Sequence, residues 1–172
     1  MKQVFHAALA LAATAAACTA HAHIHLEYGV GNAGSSYKAT FQLGHGCSGS
    51  ATRQISVDIP PGVTGVRPMP KPGWTLELQR AASQGQAPGA VTRVTWAART
   101  PADVLPDSHY DEFVLVGRLP AAAGRIHWPV RQVCEQGRAD WTEVPQAGQQ
   151  AGELKLPAPA LDVLPAAGGH KH

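Results

Sequence analysis

The sequence predicts an all-β chain folded as an antiparallel β-sandwich. Three observations carry that expectation. Apolar and polar residues alternate at period two over short segments. Helical periodicity is almost absent after the first 22 residues. Glycine and proline, 18 and 14 of 172 residues, divide the segments as turns require. About eight or nine such strands suit a two-layer sandwich.

Each element has its own pattern. Tyr37, Ala39, Phe41 and Leu43 share one face, with Lys38, Thr40 and Gln42 opposite. Ile55, Val57 and Ile59 alternate with Gln54, Ser56 and Asp58. Trp74, Leu76 and Leu78 alternate with Thr75, Glu77 and Gln79, and Thr92, Val94 and Trp96 with Arg93 and Thr95. Tyr110 to Gly117 and Arg125 to Val133 read as two more strands. Pro60-Pro61-Gly62 ends one strand, and Pro68-Met69-Pro70-Lys71-Pro72-Gly73 is a stiff connector, because each proline fixes φ and removes a donor. Ala81 to Gly89 reads as a hairpin loop. From residue 146 to 172 the chain is rich in Gln, Ala, Gly and Pro, and it reads as an extended or disordered tail.

Residues 1–22 read as a secretory signal: Lys2, an Ala/Leu/Val/Phe run, then small residues ending in Ala20-His21-Ala22. The run is too short and too Ala-rich for a membrane span, and no later stretch approaches the length of one. Removal of the leader would leave about 150 residues, enough for one domain with a core. Cys18 falls inside the leader, and Ala15 stands where a lipoprotein signal wants a Leu-like residue. Cys47 and Cys134 remain, and an even count in an exported chain favours a disulfide over a thiolate metal site. Closing so long a loop would stabilise the fold by roughly 4–5 kcal/mol in the chain-entropy model. The net charge of +2 is near neutral, no basic cluster is present, and nucleic-acid binding has no support.

The leader's end places a histidine at the mature N-terminus. A first-residue His23 carries an α-amine and an imidazole that can close one chelate ring, and Cu(II) favours such nitrogen and oxygen donors. A cut after Ala20 instead gives His21-Ala22-His23, itself a Cu(II) chelate through deprotonated amides. In an extended strand His23, His25 and Glu27 share a face. Glu27 lies about 13 Å from His23, too far to share its ion, while His25 at about 6.6 Å is a strained partner. The remaining ligands should come from other strands. Asp111 and Glu112 are the acids on a strand, and alternation does not say which points inward. A buried acid would need a cation or hydrogen-bond donors. Trp141 reads as core on physical grounds. His45, His109 and His127 follow no ligand spacing and read as surface or hydrogen-bonded histidines, and His170 and His172 sit on the tail.

His23 in a short β-segment, His45-Gly46-Cys47, Ile59-Pro60-Pro61-Gly62-Val63 and Arg67-Pro68-Met69-Pro70-Lys71-Pro72-Gly73-Trp74 together resemble the YcnI-like family. Tyr110-Asp111-Glu112-Phe113 and Cys134-Glu135-Gln136-Gly137 add to the resemblance, which spans residues 23 to 145. It implies an exported immunoglobulin-like β-sandwich that binds copper, found among copper-handling proteins. It further implies a single-histidine brace: the N-terminal His, a carboxylate and a Trp. On that pattern His23 is the brace and Trp141 the site tryptophan. Glu112 is the first choice of carboxylate and Asp111 the second. His25 departs from the pattern and would add a weak extra ligand. The Cys47 and Cys134 pair resembles the disulfide-bearing form of the family.

Three functions follow. The first is a periplasmic, non-enzymatic protein that stores Cu(II) or delivers it to a periplasmic or inner-membrane copper-handling partner. The second is a copper-dependent oxidative enzyme of the polysaccharide monooxygenase type, which needs a second imidazole that the sequence does not identify. The third is an envelope interaction module without metal, which the fold alone allows.

Overall fold

The computed structural model describes residues 23–83 and 87–166, so the leader and His170 and His172 lie outside the described residues. Twelve strand segments follow one another along it: β1 (His25–Leu26), β2 (Val30–Asn32), β3 (Ser36–Leu43), β4 (Thr52–Asp58), β5 (Thr64–Pro68), β6 (Trp74–Arg80), β7 (Val91–Ala98), β8 (Asp111–Arg118), β9 (Gly124–His127), β10 (Val130–Cys134), β11 (Arg138–Trp141) and β12 (Ala160–Leu164). One sheet has the order β1-β3-β8-β5 and a second the order β11-β10-β4-β7-β6. A third, smaller sheet runs β2-β12-β9. Every pairing is antiparallel except that of β2 with β12.

The alternation places the core. Tyr37, Ala39, Phe41 and Leu43 are buried on β3, and Phe113 and Leu115 lie opposite Phe41 and Ala39 on β8. Ile55, Val57, Val94, Trp96 and Val130 supply the facing layer. Phe113 takes the edges of Trp74 and Trp96 at ring separations of 5.2 and 5.6 Å, and Phe41 meets Trp128 at 5.7 Å. Each such pair contributes on the order of 0.5–1.5 kcal/mol beyond its buried area.

The proline-rich connector seals one end of this core. The Trp96 indole donates to the Met69 carbonyl at 2.9 Å, and Lys71 lies over the Phe113 ring. Gly73 then turns the chain at φ +77°, and a Cβ there would meet Asp103 Oδ1 at 2.4 Å. Only glycine fits both demands. The Gly-Trp ending of the motif is therefore a packing requirement.

Two expectations need correction. Arg125 to Val133 does not form one strand. It breaks at Trp128-Pro129 into β9 and β10, which belong to different sheets. Pro129 has no N–H for a ladder, and Trp128 turns into the core at 1 % exposure. The segment from 146 onward is also more than a tail. Residues 160–164 form β12, the central strand of the third sheet, with Leu161 and Val163 buried. Five residues between Ala- and Pro-rich stretches were too short to show their alternation against that composition.

The disulfide joins Cys47 to Cys134 across 87 residues of sequence. It ties the loop after β3 to the end of β10. On the far side of the second sheet Asp58 receives Arg93 and Arg131, linking β4, β7 and β10. Burial pushes the Asp58 carboxyl up, but hydrogen bonds and charge from the two guanidinium groups outweigh it and hold the pKa below its usual value.

Replacing Leu161 by Ala should lower unfolding free energy by about 2–5 kcal/mol in urea, as for other buried leucines. A change under about 0.5 kcal/mol would mean that β12 is peripheral. Asp58 ionises more readily folded than unfolded. Its contribution is thus present above the unfolded pKa and fades as pH falls through the folded one. Asp58→Asn should lower stability at neutral pH and flatten its acid dependence below about pH 4, read from urea midpoints across pH.

Candidate metal centre

His23 precedes β1, the edge strand of the first sheet. Ile24 and Leu26 anchor this segment in the core, while His25 is exposed. The His23 ring is half-buried and stands edge-on to Trp141, with ring centroids 5.6 Å apart and planes at 67°. The structure thus brings together the two residues paired by the brace pattern, from opposite ends of the domain's sequence.

Trp141 is held from behind. Its indole N–H donates to Gln132 Oε1 at 3.2 Å. Gln132 is fully buried, and its amide nitrogen donates to the His45 carbonyl at 2.9 Å and to Thr52 Oγ1 at 2.8 Å. Its neighbour along the inward face of β10, Cys134, carries the disulfide to Cys47. Two independent tethers therefore fix the 44–47 loop against β10 and β11. Gly46 allows the close turn, since a Cβ there would lie 1.8 Å from the Ser50 carbonyl oxygen.

The two carboxylates part company. Asp111 and Glu112 are neighbours on β8 and face opposite sides of the sheet. Asp111 shares the side of Phe113 and pairs with Lys71 at 2.6 Å. Glu112 faces outward in the row His25–Gln42–Glu112. It accepts from Gln42 Nε2 at 3.4 Å and from the Tyr110 hydroxyl at 2.6 Å. That bond, then burial and the charges of Glu112 and Glu27, push the Tyr110 phenol up to about 12. Tyr37 is likewise pushed up to about 12, by burial and then by Glu27. Trp141 thus stands with His23, whereas Glu112 stands in the row of His25.

The imidazole tautomers are constrained. His25 Nδ1 lies 3.0 Å from the His23 carbonyl and His45 Nδ1 lies 2.5 Å from the Gly46 carbonyl. A carbonyl only accepts, so Nδ1 is the donor in each contact. Among the described residues no three His, Cys, Asp or Glu side chains cluster as a ready metal cage. His45 is half-buried and hydrogen-bonded, as expected from its sequence context.

Fold and site together define an immunoglobulin-like β-sandwich with an aromatic-backed histidine at its amino end. The chain belongs to the family described as a domain of unknown function, DUF1775, whose model matches residues 23–163. The YcnI-like resemblance falls within this family. No curated protein matches the chain. It is similar to a protein from Nocardia farcinica whose crystal structure reveals an immunoglobulin-like fold, at 24 % identity and TM-score 0.68, covering 84 % of this chain and 99 % of that one. It also matches a putative membrane-anchored protein from Corynebacterium diphtheriae at 9 % identity and TM-score 0.43, covering 87 % of this chain and 35 % of that one. No helix among the described residues is long and apolar enough to cross a membrane.

Gln132→Leu should strand the Trp141 N–H, the His45 carbonyl and the Thr52 hydroxyl. Each loss costs about 1–3 kcal/mol when buried. The expected result is a fall of at least about 2 kcal/mol in unfolding free energy with a changed near-ultraviolet tryptophan signal. An unchanged signal and stability would deny Gln132 this role.

Proposed function

We propose that the processed protein is an exported, non-catalytic copper-binding protein that stores Cu(II) or hands it to another envelope copper-handling factor through His23. The observation that carries the reading is the His23 ring set against Trp141. A first-residue His23 presents an α-amine and an imidazole that close a six-membered chelate ring, within the N/O set that Cu(II) prefers. The indole offers a face that packs against a cation. The family match begins at His23, where the leader is expected to end.

Glu112, with Asp111 second, is the proposed carboxylate ligand, and Glu112 would have to leave Tyr110 and Gln42 to act. Asp111 would have to leave Lys71. His25 is proposed as a weak additional donor on the Glu112 side. A site at a chain end is shallow and keeps an exchangeable position, which suits handover.

The processed chain beginning at His23 should bind about one Cu(II), as one deprotonated chelate predicts. His23→Ala, or acetylation of the His23 amine, should weaken it at least about tenfold, measured by competition against a chromogenic chelator. Equal affinity in the amine-blocked protein would remove the brace.

A further inference from the structure

We propose that the outward face of the first sheet is a contact surface for a second copy of this chain, packed face to face about a two-fold axis that crosses the strands. No metal takes part in this contact.

Register lays out that face in rows. His25, Gln42 and Glu112 form the first, and Thr40 with Val114 the second. Glu27 flanks Thr40 and gives its N–H to the Thr40 carbonyl, while Met69 gives its own to the Val114 carbonyl on the other side. Lys38, Val116 and Arg67 form the third row, and Ser36, Arg118 and Thr64 the fourth. The face is open to solvent: His25, Glu27, Lys38, Arg67 and Arg118 are exposed, and Met69 is 53 % exposed. From Glu112 to Arg118 is about 20 Å along β8.

Charge divides the face. The first two rows carry Glu112 and Glu27, and both bear on the Tyr110 phenol, Glu112 first through its hydrogen bond. The last two rows carry Lys38, Arg67 and Arg118. No Asp or Glu occurs in residues 28–38, 59–73 or 113–125, the stretches that build the basic end. Among the described residues, Glu27, Glu112, Lys38, Arg67 and Arg118 enter no ion pair, and Arg118 gives one N–H to the Gly34 carbonyl at 2.7 Å. A face with opposite charges at its two ends complements itself when turned end for end. Rotation about an axis between the second and third rows reverses the strands and sets β8 over β8. Glu112 then meets the partner's Arg118, Glu27 the partner's Lys38, and Val114 the partner's Val116. Each pair occurs twice, as an isologous contact requires. The four strands, about 4.8 Å apart and about 20 Å long, present roughly 400 Å² per copy. A standard interface offers about 800 Å² per partner, so this contact is weak and salt-sensitive.

The experiment follows the mass of the processed chain beginning at His23 by sedimentation, over a concentration series at low salt and at about 0.5 M salt. The protein is kept free of metal, so that the copper ligand role proposed for Glu112 does not enter. Wild type is compared with Arg118→Glu, with Glu112→Arg and with an equimolar mixture of these two variants. Melting establishes that each variant is folded, and Glu27→Lys with Lys38→Glu supplies a second such pair where one of the first does not fold. The expected result is a dimer at low salt that dissociates at high salt, with a dissociation constant at least about tenfold weaker in either variant alone. The mixture should regain the wild-type association, because every contact between the two variants again joins opposite charges. A monomer at every concentration would overturn the proposal. Variants that associate like wild type, or a mixture no better than its components, would overturn it by moving the contact to another face. Monomers that bind vesicles of anionic lipid, with binding lost in Arg118→Glu, would overturn it in favour of a membrane surface.

Discussion

Gln132 sits fully inside the protein, and an amide buried without partners is costly. Its polar atoms are satisfied by bonds that order the ground around Trp141. One end of the amide takes the Trp141 N–H; the other gives to the His45 carbonyl and the Thr52 hydroxyl. β10 is thereby held to β11, to β4 and to the 44–47 loop. Hydrophobic packing is not directional and would leave the Trp141 ring free to choose among similar positions. The amide removes that freedom, and the disulfide two residues along β10 keeps the 44–47 loop from leaving.

The same logic explains why two adjacent acids have different neighbours. Period two puts Asp111 on the inner side of the first sheet, where Lys71 reaches it from the proline-rich connector. Lys71 also lies over Phe113, so the ion pair closes the core at that end. Glu112 faces out, with Gln42, His25 and Tyr110 around its row. An inward acid is thus matched by a cation and an outward one by neutral donors. Recruiting either to a metal means replacing those partners, and the exchange is simpler for Glu112, whose partners are uncharged.

Strand periodicity made the sandwich legible because each of β3, β4, β7 and β8 has one face that must be buried. Of the apolar faces named from alternation, Phe41, Ile55, Val57, Val94 and Trp96 are buried, whereas Ile59, Leu76 and Leu78 are only partly buried and Thr92 is exposed. What escaped was whatever depends on pairing rather than pattern. β12 has five residues between Ala- and Pro-rich stretches, so its two buried side chains carry too short a periodic signal to stand out. The break at Trp128-Pro129 follows from a proline that reads equally well as an edge position. In the candidate centre, the pairing of His23 with Trp141 came from the family pattern, since nothing in local sequence separates Trp141 from the other three tryptophans.

The surroundings of His23 bear on which cut would make the site. In a chelate of His21, Ala22 and His23, the amine, the intervening amides and the third-residue ring come from one short peptide. Such a chelate asks nothing of Trp141, of the loop carrying His45, or of the disulfide behind it. A brace at His23 has the opposite need: two donors come from one residue, and the rest must be brought by the fold. The structure spends a buried amide, a disulfide and a glycine with no room for a side chain on ordering the ground beside His23. That investment favours a cut after Ala22. On the proposed reading, metal binding would also depend on cleavage, because before it the nitrogen of His23 is a peptide amide.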